Sequence, residues 1–397
     1  MRLGYLVPEF PSQTHAFFWR EIAALREMGH EVCLFSTTRP DDDACQHRFG
    51  PAARAQTTYL APPSLAVVLR SAFQTRPRRL WDVLRYVRSC QRDSTSATVH
   101  LIGIAVCALQ LAQQARVLSI EHLHIHSCAD AAHLGAIARL LGGPSFSLTL
   151  HGDLPVYGRD HRLKMSGAAF VSTVTRPLQE QVVKEVGLPV EKVPTVWMGV
   201  DTDRFRPLAG SARQQGPSRV ITVARLNPNK GHRFALAAIR DLIDGGIPAE
   251  YHIVGSGDYR AEIQSLVEEL GLAGVVTMTG ALGEEGVRDL LLQSDIFVLP
   301  SFGLGEAAPV SVMEAMACGL PVVSTVIGGT PDMIEDGQDG MLVPQKDVAG
   351  LVESLRTLAC DAPMRSRIGE RARSRAVTDF DYRRGAASLA EKMTGRS

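Results

Sequence analysis

The chain has no surplus of either charge: 42 Lys+Arg stand against 42 Asp+Glu in 397 residues. Surface binding to nucleic acid normally needs a basic excess, so a general polyanion binder is excluded, although a local basic patch is not. Cysteines are few and scattered. The seven stand at 33, 45, 90, 107, 128, 318 and 360, an odd count with no C-x-x-C pair. That excludes a disulfide framework or a structural zinc site and reads as reduced thiols in a cytosolic chain. The opening residues hold only a short apolar run before Pro8 and Glu9, too little for a secretory signal. The longest apolar stretch, Val99–Ala112, is interrupted by His100 and Gln110 and is too short to span a bilayer. The expectation is a chain that can touch a membrane without crossing it.

What is present is size and alternation. The length suits two domains, each large enough for its own core. With 45% hydrophobic and 21% charged residues, disorder is not expected. Arg2–Val7 reads as a buried strand, Ala16–Met28 as an amphipathic helix ended by Gly29, and Glu31–Phe35 as the next strand. This is the β-α-β opening of a parallel sheet. Strands at His122–His126, Phe146–Leu150 and Ala169–Val174 follow, with helices at Ser96–Arg116, Ala129–Leu141 and Pro177–Val186. The pattern restarts with strands at Arg219–Ala224, Tyr251–Val254, Val275–Met278, Ile296–Leu299 and Pro321–Ser324. Helices at His232–Ile243, Tyr259–Leu270, Gly286–Gln293 and Val310–Met316 lie between them, and Pro363–Lys392 reads as two more. Arg206–Pro217, polar and rich in Gly and Pro, reads as the linker. The expected architecture is α/β, with two doubly wound Rossmann-like domains facing a central cleft. The first covers residues 1–205 and the second 206–378, and the terminal helix at about 379–397 packs back on the first.

In such sheets ligands bind at the carboxyl ends of the strands, and the informative motifs lie there. Pro300–Thr325 (PSFGLGEAAPVSVMEAMACGLPVVST) runs from a strand through small residues into a helix. Free amides and the positive end of the helix dipole make such a loop an anion site. Glu306 falls on the loop and Glu314 about one turn into the helix, flanked by apolar residues that demand a partner for its carboxylate. Arg225–Gly231 (RLNPNKG) follows the first strand of the second half. Arg225 and Lys230 there are either ordinary surface cations or the two fixed charges that a departing diphosphate needs. Val254–Asp258 (VGSGD), with Gly255, is a further glycine turn after a strand. Thr149–Gly158 (TLHGDLPVYG) sets His151 and Asp153 just past a strand end. His124 and His126 alternate with apolar residues and read as strand-face residues.

Taken in order, these pieces resemble the nucleotide-sugar-binding half of retaining GT-B glycosyltransferases of the GT4 type (glycosyltransferase group 1). The family's Glu-x7-Glu motif stands as Glu306 and Glu314 with Pro309 between, followed by AMACGLPVV and GGTPDMIEDGQDGMLVP. The opening Glu9–Val32 resembles the exopolysaccharide and colanic-acid-like subgroup, and Trp197–Pro207 resembles the family's domain-joining segment. The chain departs from the family where Ala307 and Ala308 follow Glu306 in place of Glu-Gly-x-Pro, which removes positive-φ freedom.

The resemblance implies transfer of a sugar from a nucleoside-diphosphate sugar to an acceptor hydroxyl with retention. Arg225 and Lys230 would hold the diphosphate, assisted by the amides around Ala307–Val310, with Ala307, Ala308, Pro309 and Val310 lining the donor. Glu314 would bind the ribose, Glu306 the transferred sugar's hydroxyls, and His151 would approach that sugar. Asp153 and Gly255 would line the donor site. Ser12, Gln13 and Thr14 would approach its phosphates or, on the local reading, Ser12 or Thr14 would cap a helix. No metal and no cofactor are expected, because the two cations serve a metal's electrostatic purpose.

The acceptor should be read in the first half. Ser64–Arg92 carries seven arginines and one aspartate, with Trp81, Leu84 and Val87 at helical spacing. It reads as a basic amphipathic helix, either lying on an anionic membrane or packed with a solvated basic face. The implied acceptor is a glycan or polyprenol-linked sugar, in bacterial exopolysaccharide, capsule or lipopolysaccharide assembly. The implied location is the cytoplasm, peripheral at the inner face of the plasma membrane. Two other readings stay open. One is a phosphorylase or nucleotide-sugar epimerase on the same architecture; the other is a non-catalytic nucleotide-sugar-binding partner.

Overall fold

The structure, a computed structural model, describes residues 1–42, 44–207 and 216–395. Its contacts divide the chain into two compact units. The first takes 1–45, 49–196 and 386–397; the second takes 46–48 and 197–385. Residues 208–215, the middle of the expected linker, lie outside the described residues.

In the first unit the order is β1 (Arg2–Glu9), α1 (Ala16–Glu27), β2 (Glu31–Thr38), α2 (Gly50–Gln56) and β3 (Thr57–Tyr59). Then come α3 (Leu65–Gln74), α4 (Pro77–Ser89), α5 (Thr95–Val117), β4 (His122–His126), α6 (Asp130–Leu140), β5 (Ser145–Leu150), α7 (His161–Met165), β6 (Val171–Thr173) and α8 (Arg176–Val186). The six strands form one sheet in the order β3-β2-β1-β4-β5-β6, with every pairing parallel. The second unit holds β7 (Ser218–Val223), α9 (His232–Asp244), β8 (Ala249–Val254), α10 (Arg260–Glu269), β9 (Val276–Gly280), α11 (Glu284–Gln293) and β10 (Ile296–Leu299). It continues with α12 (Val310–Ala317), β11 (Val322–Thr325), α13 (Thr330–Met333), β12 (Met341–Val343), α14 (Val348–Cys360) and α15 (Ala362–Asp379). Its sheet reads β12-β11-β10-β7-β8-β9, again all parallel. Both are the doubly wound order, with switch points between β1 and β4 and between β7 and β10.

The last helix, α16 (Tyr382–Thr394), starts among residues of the second unit. Its Leu389, Ala390 and Met393 join the first unit's core beside Leu3, Tyr5, Phe18, Ile22 and Leu25. The second core gathers Tyr251, Ile296, Val298 and Val323 with α9 and α14. Central strands of a parallel sheet are covered on both faces, which explains their unbroken apolar character.

Three expectations need correction. Ser64–Arg92 forms two helices rather than one. Arg76, the residue before Pro77, takes an extended conformation (φ −59°, ψ 138°), as the proline ring requires of its predecessor. The N-cap of α1 is His15 rather than Ser12 or Thr14, with Ser12 Oγ 2.9 Å from His15 Nδ1. The third is α5, which outruns the apolar stretch that announced it. At 23 residues it is long and apolar enough to cross a membrane by length and composition. Its Leu101, Ile104, Ala108, Leu111 and Ala112 are buried in the first unit, as in a packed core helix. The seven cysteines are all free thiols.

Candidate active site

In the second unit, β7 and β10 end side by side at the switch point. Past β7 the chain passes Arg225, which is exposed, and makes one short helical turn that carries Lys230. Past β10 it passes Ser301 and reaches Glu306. The two loops are tied by the Phe302 N–H, which donates to the Asn229 carbonyl at 2.8 Å. Lys230 Nζ donates to Glu306 Oε2, and Ser301 Oγ donates to the same oxygen at 2.8 Å. Both charged side chains are largely buried, at 16% and 10% exposure. Two buried opposite charges with a hydroxyl attached hold each other in fixed geometry. Ser301 itself is anchored by Thr325 Oγ1, which donates to its carbonyl.

The glycine turn closes on the same place. Gly255 sits at φ +147°, and a Cβ there would stand 1.9 Å from the Ala224 carbonyl oxygen. The loop after Glu306 has ordinary backbone at Ala307. Ala307 and Ala308 are buried, and neither takes a positive φ. The freedom lies instead at Gly328 (φ +51°), where a Cβ would stand 1.8 Å from the Glu306 carbonyl oxygen. Pro309 is the N-cap of α12 and supplies no side-chain cap. The first amides of that helix, from Val310, therefore depend on groups other than a capping side chain. Glu314 lies in α12, 9% exposed, beside Met313, Ala315 and Met316. His232 Nε2 faces the Arg225 carbonyl at 3.3 Å, and burial lowers its pKa to about 4.

In the first unit the switch point lies between β1 and β4. Ser12, Gln13 and Thr14 follow β1; His151 and Asp153 follow β5. His122, His124 and His126 line one face of β4, all within 2% of full burial. His124 is held by Ser147 Oγ at 2.7 Å and Thr149 Oγ1 at 2.9 Å, and His122 by Ser145 and Ser147. His126 Nδ1 faces His151 Nε2 at 3.0 Å, and its Nε2 lies 3.1 Å from Glu21 Oε1. Tyr5 OH donates to that same oxygen at 2.9 Å. The Tyr157 hydroxyl accepts the His151 N–H at 2.8 Å. Ligand-type atoms of Glu21, His124 and His126 lie within 4.8 Å of one another. Both ring nitrogens of His124 and Nδ1 of His126 have hydrogen-bond partners, while His126 Nε2 is buried near Glu21 without one.

Sequence reading singled out Arg225, Lys230, Glu306 and His151; it did not name Ser301, which contacts Glu306, or Tyr5 and Glu21, which lie near His126. Glu21 was detectable. It lies four residues after Phe17 and four before Leu25, on the apolar side of α1, where a carboxylate needs a partner as much as Glu314 does.

Two doubly wound sheets with loops of this kind at their switch points fit the GT-B fold, and the comparisons supply the family. The family described as Glycosyltransferase Family 4 matches residues 17–204, and the one described as Glycosyl transferases group 1 matches residues 207–375. The chain belongs to these glycosyltransferases, a family 4 domain followed by a group 1 domain. It is 29% identical to the colanic acid biosynthesis glycosyltransferase WcaL of Salmonella typhimurium, covering 99% of this chain and 100% of that one. It is 25% identical to the amylovoran biosynthesis glycosyltransferase AmsK of Erwinia amylovora, covering 98% of each. Among solved structures, Anabaena HepE in complex with UDP-glucose superposes with a TM-score of 0.75 at 18% identity, covering both chains fully.

Proposed function

We propose that this glycosyltransferase moves a sugar from a nucleoside-diphosphate sugar to a glycan or polyprenol-linked acceptor, with retention, in assembly of a bacterial surface polysaccharide. The observation that carries the reading is the buried Lys230–Glu306–Ser301 cluster at the switch point of the second unit. Lys230 and Arg225 neutralise the diphosphate as it departs, with the N–H groups of Ala307, Ala308 and Val310, beside Pro309, adding partial positive charge. Glu306, oriented by Lys230 and Ser301, accepts hydrogen bonds from the transferred sugar. Glu314 accepts two from the vicinal hydroxyls of the ribose. His151 meets the transferred sugar, Asp153 and Gly255 line the donor site, and Ser12, Gln13 and Thr14 approach the phosphates. No protein nucleophile is invoked: the departing phosphate accepts the acceptor's proton. Metal is dispensable on this reading, so EDTA leaves turnover unchanged.

The pathway rests on relatives named for colanic acid and amylovoran synthesis. UDP-sugars lead among donors because the HepE structure holds UDP-glucose. Thermal-shift screening against UDP-, GDP-, ADP- and dTDP-sugars tests this, since a ligand stabilises in proportion to its affinity. A shift with one base that disappears in Lys230→Ala supports the site; equal shifts in both proteins refute it. NMR of the product's anomeric proton tests retention, and an inverted product refutes it.

The first unit's surface supports a peripheral membrane contact. Leu65, Leu69 and Phe73 of α3 and Trp81 of α4 are exposed, Phe73 at 88%, among the arginines of Ser64–Arg92. A basic face carrying exposed apolar side chains suits anionic lipid. The full chain should sediment with phosphatidylglycerol vesicles, less so as salt rises. Equal sedimentation with neutral vesicles would defeat the proposal.

A further inference from the structure

Three metal-ligating side chains that the reaction above does not use converge from three elements of the first unit. Cys90 caps the C-terminal end of α4, His133 lies on α6, and Asp160 precedes α7. One ligand atom from each lies within 4.8 Å of the others. Cys90 and His133 are buried, at 5% and 7% exposure, and Asp160 is half-buried, which leaves an ion a way in from solvent. We propose that these three side chains bind one zinc ion, with water in the fourth position. The ion ties the end of α4 to α6 and to the segment that carries His151 and Asp153. The scattered cysteines speak only against sites built from paired cysteines. Here the ligands stand far apart in the chain, and the packing of α4 on α6 brings them together.

The donor set decides the ion. A thiolate and an imidazole suit zinc, whereas calcium and magnesium take oxygen ligands. Zinc bonds of about 2.0–2.3 Å put neighbouring ligands roughly 3–4 Å apart, so side-chain rotations are enough to close the site. The supporting contacts are in place. His133 Nδ1 lies 2.8 Å from the Tyr86 hydroxyl, and the two rings meet edge to face, which orients the imidazole. Both Asp160 carboxylate oxygens face the Gln91 N–H, at 3.2 and 3.1 Å. Asp160 itself stands at φ 64°, a left-handed conformation uncommon outside glycine that its surroundings must maintain. Its carboxylate keeps lone pairs for a metal. Cys90 Sγ donates to the Tyr86 carbonyl at 3.3 Å. On binding, the thiol proton leaves to solvent and the sulfur binds zinc, while that carbonyl keeps the Cys90 N–H at 3.2 Å. Lys164, 3% exposed, is the buried cation of the neighbourhood. A divalent ion near this ammonium requires two negative ligands, which Cys90 and Asp160 provide. Lys164 Nζ donates to the Tyr157 carbonyl at 2.7 Å, and the Tyr157 hydroxyl accepts the His151 N–H. Through these bonds an ion at Asp160 steadies the His151 segment.

The test uses the full chain, stripped of metal with a chelator and then titrated with zinc chloride or cobalt chloride. Calorimetry should show one zinc per chain, and zinc should raise the melting temperature, as any ligand of the folded state does. Cobalt should give a near-ultraviolet thiolate-to-metal charge-transfer band with the visible bands of a four-coordinate ion. Cys90→Ala should abolish the charge-transfer band and weaken zinc binding at least about 100-fold. Asp160→Asn keeps an oxygen for the Gln91 N–H and leaves the sulfur in place; it should weaken zinc at least about tenfold. This second variant reads out the site should Cys90→Ala fail to fold. A native chain without the charge-transfer band would overturn the proposal. So would a band of equal strength in Cys90→Ala, which would place the thiolate ligand at another cysteine, or zinc affinity unchanged in both variants. Each outcome is read from metal binding, so failure here leaves the donor-site reading intact, and failure of that reading leaves this site standing.

Discussion

The two units share one strand order and differ in what they put at its switch point. The second builds there from backbone: glycine turns, a helix N-terminus without a side-chain cap, and one buried ion pair. The first builds from side chains: four histidines, a tyrosine and a carboxylate, tied by hydrogen bonds except at His126 Nε2, which lies 3.1 Å from Glu21 without forming one. The lesson is that the doubly wound sheet fixes where a ligand is met and leaves open how. A frame of amides and cations suits an invariant anion such as a diphosphate. A frame of rings and hydroxyls suits the discrimination of one hydroxyl pattern from another.

Substitutions can separate the two units. The largest effect is expected at the ion pair: Lys230→Ala or Glu306→Ala should lower transfer by on the order of 10³-fold, while circular dichroism stays native. Similar turnover in both mutants and the parent would remove the second unit's claim to the chemistry. Next is the backbone of the same unit. Gly255→Ala forces a Cβ to within 1.9 Å of the Ala224 carbonyl oxygen and should cost about 2–4 kcal/mol in urea unfolding. A cost below about 1 kcal/mol would mean that the turn relaxes freely.

The first unit should be the more acid-sensitive. Its His122 and His126 have pKa values lowered by burial to about 4 and about 3, and His133 to about 4. In the unfolded chain these groups bind protons near pH ~6.5, so below that the unfolded state holds more protons and stability falls with pH. His122 alone should account for roughly 3 kcal/mol, present above its unfolded pKa and lost as pH falls toward 4. Glu21, whose pKa is raised, titrates in the opposite sense and offsets part of this. The second unit has His232 as its one comparably lowered histidine among the described residues. Amide exchange should therefore open the first unit's strands before β7–β12 as pH drops; simultaneous opening would contradict the comparison. The smallest effect belongs to Ser12→Ala, which removes a part-buried contact to His15 and should change stability by about 0.5 kcal/mol.

Much of this was legible because it is local. Strands such as His122–His126 and Ile296–Leu299 match their sequence bounds residue for residue, since an apolar run between turn residues has few other uses. Short edge elements were not legible. β3 and β12, three residues each, are strands only because a neighbour supplies the ladder. The neutral total of the whole chain hides a division that is plain in the sequence. Residues 1–200 carry 21 basic against 16 acidic groups, and 201–397 carry 21 against 26.

By itself, then, the sequence determined the repeated β-α-β order, the loops that carry chemistry and the family these mark, because spacing along the chain decides which residues follow a strand. Tertiary structure alone decided the partnerships. Lys230 and Glu306 are 76 residues apart, and His126 and Glu21 more than a hundred. They meet because parallel crossovers gather distant strand ends at the carboxyl end of a sheet and lay helices such as α1 against its face. The same packing strips water from these side chains and so gives a carboxylate or a histidine a role that its spacing could not announce.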